Sequence, residues 1–185
     1  MWDQGAMASL LQLDIKGAFD TVNYTRLLDT LRSQGFPIWV VRWVHSFTSE
    51  RQSRLMFNGR VSDPVALRAG VPQGSPLSPI LFVLYITSLY QALQKDNSLA
   101  IIGFADDTNI LTASRDPESN CRRLERAYLV CKQWARTRGM EFAPQKSELM
   151  HFTRKRTATA TAVRLGNSTI SPVESARFLG VWLES

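Results

Sequence analysis

Cysteine is scarce in this chain. Cys121 and Cys131 are the only two, with no CxxC pair. That excludes a disulfide scaffold and a zinc knuckle, and it reads as a reduced, intracellular protein. Histidine is equally rare: His45 and His151 stand far apart in sequence and offer no metal-ligand spacing. The longest apolar run, residues 79–86, falls far short of the roughly 20 residues a membrane span needs, so no membrane partner is expected. The opening MWDQGAMASLLQLD lacks the charged-then-apolar order of a signal peptide. There is no internal repeat and no low-complexity tract. The Thr/Ala run at 157–162 comes nearest and reads as a loop.

What is present suits one domain. The 185 residues, 44% apolar and 21% charged, exclude a disordered or fibrous chain and can bury a single core. No composition shift marks an internal boundary, so residues 1–185 read as one domain. The formal net charge is +6, with a pI near 9.7, which permits a polyanionic partner without proving one. The excess is local. Residues 115–156 hold eleven Lys+Arg against five Asp+Glu, whereas the remainder holds eleven of each.

Periodicity and turn residues predict the elements. Residues 8–15 form an apolar run ending in acid and suit a buried strand. Residues 23–34 and 37–46 read as helices, the first capped by Asn23 and stopped by Gly35. Asn58-Gly59 predicts a hairpin between 53–57 and 60–67. The segment 70–79, with two Gly and three Pro, predicts a rigid turn leading into an apolar helix over 79–94. Strands are expected at 99–104 and 108–113, and an amphipathic helix at 117–138 with Leu124, Ala127, Tyr128, Cys131, Trp134 and Ala135 on its apolar stripe. Further strands are expected at 141–142, 148–153 and 176–183. Mixed helices and hairpins without βαβα alternation predict an α+β fold.

Three acids stand out. Asp14 ends an apolar strand, and Asp106-Asp107 lie between two more. Carboxylates at such positions are costly unless something neutralises them. They suit an acidic turn and a helix cap, or a carboxylate cluster for Mg²⁺, which prefers a few carboxylates together with substrate phosphates.

The local sequences around these acids resemble a reverse transcriptase of the non-LTR (LINE-like) retrotransposon kind. Leu13-Asp14-Ile15-Lys16-Gly17-Ala18-Phe19-Asp20 is similar to the family's first palm motif, and Gly70-Val71-Pro72-Gln73-Gly74-Ser75-Pro76-Leu77-Ser78-Pro79 to its second. Phe104-Ala105-Asp106-Asp107 resembles the x-A-D-D box. Residues 134–146, ending Phe142-Ala143-Pro144-Gln145-Lys146, resemble the fourth motif, and Phe178-Leu179-Gly180-Val181 the primer grip. The blocks occur in the family's order across about residues 9–183.

The resemblance implies a role for each matching residue. Asp14 and Asp106 would ligate two Mg²⁺ ions, with Mn²⁺ able to substitute. Ile15 would offer a backbone carbonyl, and Asp107 would support the metal site. Phe19 matches the steric gate against a ribose 2′-OH; without the resemblance it reads as a core aromatic. Gln73 and Gly74 match the loop over the incoming nucleotide, or else a polar turn. Lys146 would protonate the departing pyrophosphate, or else is a solvated lysine. Phe178, Leu179 and Gly180 would hold the primer's 3′ end. Asp20 reads as structural.

The implied activity is RNA-templated DNA synthesis, with a primer 3′-OH attacking the α-phosphate of a dNTP. The implied partners are an RNA template, a DNA primer and the dNTP, and the implied setting is intracellular and compatible with the nucleus. The implied fold is a palm: an antiparallel sheet carrying the acids, with helices on its other face and Asp14 and Asp106 approaching one another at its centre. The family's fingers should precede residue 13 and its thumb should follow residue 183, so the expectation is a palm with fingers and thumb largely missing. It would be inactive in isolation, or a non-catalytic remnant retaining nucleic-acid binding.

Overall fold

The computed structural model describes residues 6–153 and 160–184. In it the apolar run near the start of the chain becomes β1 (Met7–Leu13). Its alternation decides what lies on each face of a sheet. Met7, Ser9, Leu11 and Leu13 are buried on one face, whereas Ala8, Leu10 and Gln12 point to the other.

The described residues divide into two units. The first draws on residues up to 16, 88–137 and 141 onward; the second on 17–87 and 138–140. In the second, α1 (Tyr24–Ser33) is capped by Asn23, whose side chain accepts from the Arg26 N–H, and α2 (Ile38–Thr48) follows Pro37. Asn58 and Gly59 both take positive φ and turn β3 (Met56–Phe57) into β4 (Arg60–Val61). Outside them β2 (Gln52–Ser53) pairs with β5 (Val65–Ala66). The next helix, α3 (Leu77–Leu93), divides its residues between the units and starts earlier than the sequence predicts. Pro79 sits in its first turn, where a missing N–H is harmless. In the second unit Phe82, Tyr85 and Ile86 of α3 are buried, as are Leu27 and Leu31 of α1.

The first unit holds the sheet. β6 (Leu99–Phe104) and β7 (Asp107–Ser114) form a hairpin, and β8 (Glu148–Phe152) joins β1 on its other side, giving the antiparallel order β6-β7-β1-β8. Beneath the buried face of β1 runs α4 (Pro117–Arg138). It is capped by Asp116, whose carboxylate accepts from the Ser119 N–H at 2.9 Å. The apolar stripe expected on this helix is buried in full. Asn120 fastens it to β1 by donating to the Met7 carbonyl and to Ser9 Oγ at 3.0 and 2.9 Å. At Gly103 the sheet leaves room for Tyr90: a Cβ there would collide with the phenol ring and its oxygen.

Two expectations need correction. The final strand over 176–183 is a hairpin, β11 (Ser175–Phe178) and β12 (Val181–Glu184), because Leu179 and Gly180 both adopt positive φ and reverse the chain. The strand at 141–142 shrinks to one bridge between Ile15 and Phe142, since the 3₁₀ turn Pro144–Lys146 interrupts the path into β8. A short hairpin not foreseen, β9 (Val163–Leu165) with β10 (Ser168–Ile170), turns at Gly166. Of the loop expected at 157–162, residues 157–159 lie outside the described residues, as do Arg154, Lys155 and Arg156.

Candidate active site

Antiparallel register builds the site. Residues directly opposite one another share a face. Leu111, Leu10 and Met150 therefore stand side by side across β7, β1 and β8. They are apolar and covered by Ala176, Phe178 and Leu183 of the β11–β12 hairpin. Two residues further along β1 the row turns polar: Asn109, Gln12 and Glu148. One step more carries β1 to Asp14 and β7 to Asp107. The same face thus changes from a packed apolar floor to an acidic end within a few residues.

A cavity of about 320 Å³ opens at that polar end, lined by Gln12, Asp14, Asp107, Asn109, Lys146, Glu148, Arg177, Phe178 and Leu179 among others. It brings together Asp14, Asp107, Lys146, Phe178 and Leu179 of the residues predicted from sequence. Gln12, Asn109, Glu148 and Arg177 were not predicted. The first three form a row only once register sets β7, β1 and β8 side by side, so no local signal announced them. Arg177 lay beside the primer-grip motif.

Lys146 Nζ lies 3.1 Å from Asp14 Oδ2. That oxygen is buried and makes no hydrogen bond, so the ammonium is its compensation. The Asp14 carbonyl accepts from the Ala143 N–H at 2.9 Å, and the Glu141 carbonyl accepts from the Lys16 N–H at 2.9 Å. These bonds frame the Ile15–Phe142 bridge from outside. The N–H and C=O of Ile15 itself therefore point away from Phe142, toward the β7 side of β1.

Asp106 occupies the two-residue turn between Phe104 and Asp107. Ala105, the first turn residue, has φ +52°, a region costly for any residue with a Cβ. Asp107 holds its proton above the ordinary 3.8, through desolvation first, then through the negative charges of Asp106 and Asp14. Phe104, paired with Asp107, is 62% exposed on the same face.

Of the remaining predicted residues, Phe19, Gln73 and Gly74 belong to the second unit and Gly180 to the first. Phe19 packs against Phe82 with ring centroids 5.2 Å apart. Gln73 is exposed and donates from Nε2 to the Asp20 carboxylate. Gly74, at φ +91°, faces open space. Gly180 forms the β11–β12 turn beside Leu179.

The acids suit a hard divalent cation in kind. Carboxylate oxygens are the ligands such an ion prefers, one buried oxygen of Asp14 lacks a hydrogen bond, and like charges crowd Asp107. Among the described residues they do not form a group of three or more acid, histidine or cysteine side chains that could enclose a metal ion, and a lysine holds Asp14. Also among the described residues, no helix is long and apolar enough to cross a membrane.

Residues 1–183 match the family described as Reverse transcriptase (RNA-dependent DNA polymerase). Among curated relatives, the Pol polyprotein of the type-1 retrotransposable element R2 from Popillia japonica is 29% identical over 152 residues, or 77% of this chain and 24% of that protein. The RNA-directed DNA polymerase from mobile element jockey of Drosophila melanogaster is 28% identical over 176 residues, or 93% of this chain and 19% of that one. The chain thus spans about a fifth to a quarter of these relatives' length. Apo telomerase from Candida tropicalis, truncated from its C-terminal domain, superposes with a TM-score of 0.65 at 12% identity, over 96% of this chain and 34% of that one. At that identity the likeness speaks for the fold, and it bears out the α+β palm-like architecture.

Proposed function

The chain belongs to the reverse transcriptase (RNA-dependent DNA polymerase) family, and from that premise we propose that residues 1–185 are one partial domain, the palm portion of a retrotransposon polymerase that extends a DNA primer on an RNA template. The observation that carries this reading is the cleft in which Asp14, Asp107 and Lys146 meet the turn of the β11–β12 hairpin.

Mg²⁺ would be held by Asp14, Asp106 and the Ile15 carbonyl, with Asp107 beside them. Two bound Mg²⁺ ions would supply positive charge to the attacking 3′-oxygen and to the departing pyrophosphate. Everything else falls to the protein. Phe178 and Leu179 line the cleft and, with Gly180 of the same turn, hold the primer end. Lys146 carries a proton within reach of the leaving oxygen and donates it as the bond breaks. Phe19, braced by Phe82, stands as a rigid wall that selects against a 2′-OH. Gln73 and Gly74 close over the nucleotide. Template pairing selects the base, so the protein grips phosphates and duplex shape, and binding weakens steeply with salt.

Primer extension on an RNA template in Mg²⁺ tests the reading. Incorporation that Asp106→Asn abolishes supports it. Duplex binding without incorporation by this chain favours a non-catalytic, nucleic-acid-binding remnant.

A further inference from the structure

One contact in the second unit has no part in the reading above. Gln73 Nε2 lies 3.2 Å from both carboxylate oxygens of Asp20. No other hydrogen bond or ion pair of that carboxylate occurs among the described residues. Both side chains are exposed, so the pair does little for stability. Its consequence is directional. A side-chain amide has a donor end and an acceptor end, and only the donor end can face a carboxylate. Asp20 therefore fixes the amide, with the NH₂ group toward the carboxylate and Oε1 away from it.

The backbone around the pair is built to hold this distance. The Gly70 N–H donates to the Val22 carbonyl at 2.9 Å, and the Val71 N–H to the Phe19 carbonyl at 2.8 Å, so the 70–71 segment is laid along residues 19–22. Gly70 makes the approach possible: a Cβ there would sit 2.8 Å from the Asp20 carbonyl oxygen and 2.9 Å from its Cα. Tyr24 anchors the preceding residue by donating to the Ala69 carbonyl at 2.9 Å. Arg51 donates to the Gly70 carbonyl. On the other side, Ser78 Oγ donates to the Pro72 carbonyl at 2.6 Å. Gln73 is thus carried on a loop tied down before and after it, and among the described residues its side chain is tied by Asp20 alone.

We propose that Asp20 is a positioning residue that sets Gln73 as a hydrogen-bond acceptor toward the nucleotide site. This rests on the reading of Gln73 as nucleotide-binding given above. The ligand group that Oε1 meets is then an N–H or O–H donor, a sugar hydroxyl of the dNTP or a 2′-OH of the template. A phosphate oxygen is disfavoured: it would have to take the second N–H of the NH₂ group, beside the negative charge of the Asp20 carboxylate.

Two measurements on the full 185-residue chain test this, and they fail separately. The first is the ¹⁵N-edited NMR signal of the Gln73 side-chain amide. A pair held by Asp20 gives two amide protons with a shift difference away from that of a free glutamine. Asp20→Ala moves them to the free position, and Asp20→Asn, which keeps an acceptor oxygen, leaves them partly displaced. Dispersed backbone amide signals report that each variant is folded. A wild-type Gln73 amide at the free position, unmoved by Asp20→Ala, overturns the proposal whether or not the chain incorporates nucleotides.

The second is steady-state incorporation. Asp20→Ala is expected to raise the dNTP KM by about 3- to 10-fold with kcat within about 2-fold, the scale of losing one oriented hydrogen bond. Asp20→Asn recovers part of it, and adding Asp20→Ala to Gln73→Ala costs nothing further. Equal losses on RNA and DNA templates assign the donor to the dNTP, and a loss confined to RNA assigns it to the template 2′-OH. An Asp20→Ala loss that persists unchanged in the Gln73→Ala background overturns the proposal while leaving the polymerase reading intact. An absence of incorporation by the wild type refutes activity of this chain, and the NMR result then decides the positioning claim alone.

Discussion

Lys146 Nζ and Asp14 Oδ2 lie 3.1 Å apart across the interruption between β1 and β8. The lysine side chain is 66% exposed and the aspartate 28%. Water screens the ammonium end, but Lys146→Met leaves the buried Oδ2 of Asp14 uncompensated, so it is expected to lower the unfolding free energy by about 1–2 kcal/mol, read from denaturant midpoints. Under the proposed role the kinetic loss is far larger. Removing a general acid should slow single-turnover incorporation by about 10²- to 10⁴-fold. A Lys146→Met variant that loses stability but keeps its turnover rate would reduce the lysine to a counter-ion for Asp14.

The proton affinity of Asp107 carries a second expectation. Its folded-state pKa stands above 3.8, through desolvation, then Asp106, then Asp14. Near pH 3.8 and just above it, the folded chain keeps a proton that the unfolded chain is releasing. Stability therefore falls as pH rises from that value through the higher folded one, and the penalty is complete beyond it. Asp107→Asn removes the charge, so the variant should be more stable than the wild type at neutral pH. Solvent around this exposed side chain limits the gain to about 0.5 kcal/mol. The difference should vanish below pH 3.8. Paired thermal melts across pH 3 to 8 check the sign; a constant difference over the whole range would assign the effect to something other than this titration.

Gly70 is a sharper case, since two constraints meet there. Its φ is +88°, and a Cβ would sit 2.8 Å from the backbone oxygen of Asp20, which has no flexible end to yield. Gly70→Ala should destabilise the chain by about 2–3 kcal/mol through strain in the left-handed region and the forced separation of the two segments. Gly74→Ala makes the comparison: it has a similar φ of +91° but nothing within 4 Å, so only the strain remains, about 1 kcal/mol. Urea midpoints of the two variants measure the steric part by difference. Equal losses would mean that the 70–71 segment does not press on Asp20.

These positions also mark what could be read from the sequence. β1, α1, α4 and the β6–β7 hairpin follow from apolar periodicity and capping residues, because burial on one face imposes a period that the residues must obey. The β11–β12 turn escaped because Leu179-Gly180 is not among the turn pairs that announce themselves, and leucine at φ +48° is uncommon. The acids were legible as motifs. Their company in the cleft was not, because the row Asn109, Gln12 and Glu148 exists only once register sets three distant strands side by side. The Asp20–Gln73 contact was hidden for the same reason: nothing local in either segment states that Gly70 lets them touch.

Ala105 shows how the acidic turn is held. It is the first of two residues linking Phe104 to Asp107, and at φ +52° it occupies a place that favours glycine. An alanine there costs about 1–2 kcal/mol. The hairpin persists because the β6–β7 ladder pairs Leu99–Phe104 with Asp107–Thr112 without interruption. Ala105→Gly should relieve the strain, offset in part by about 0.5–1 kcal/mol of added unfolded-state freedom, leaving a gain of up to about 1 kcal/mol. Ala105→Val should lose more than Ala105→Gly gains, because a β-branched side chain tolerates positive φ least. Hydrogen exchange at the amides of Gly103 and Thr108 locates the effect in the hairpin, and denaturant midpoints give its size. If alanine is kept because the strained turn aims Asp106, Ala105→Gly will fold better and incorporate nucleotide more slowly. A glycine variant that gains in both would show that the strain serves no catalytic purpose.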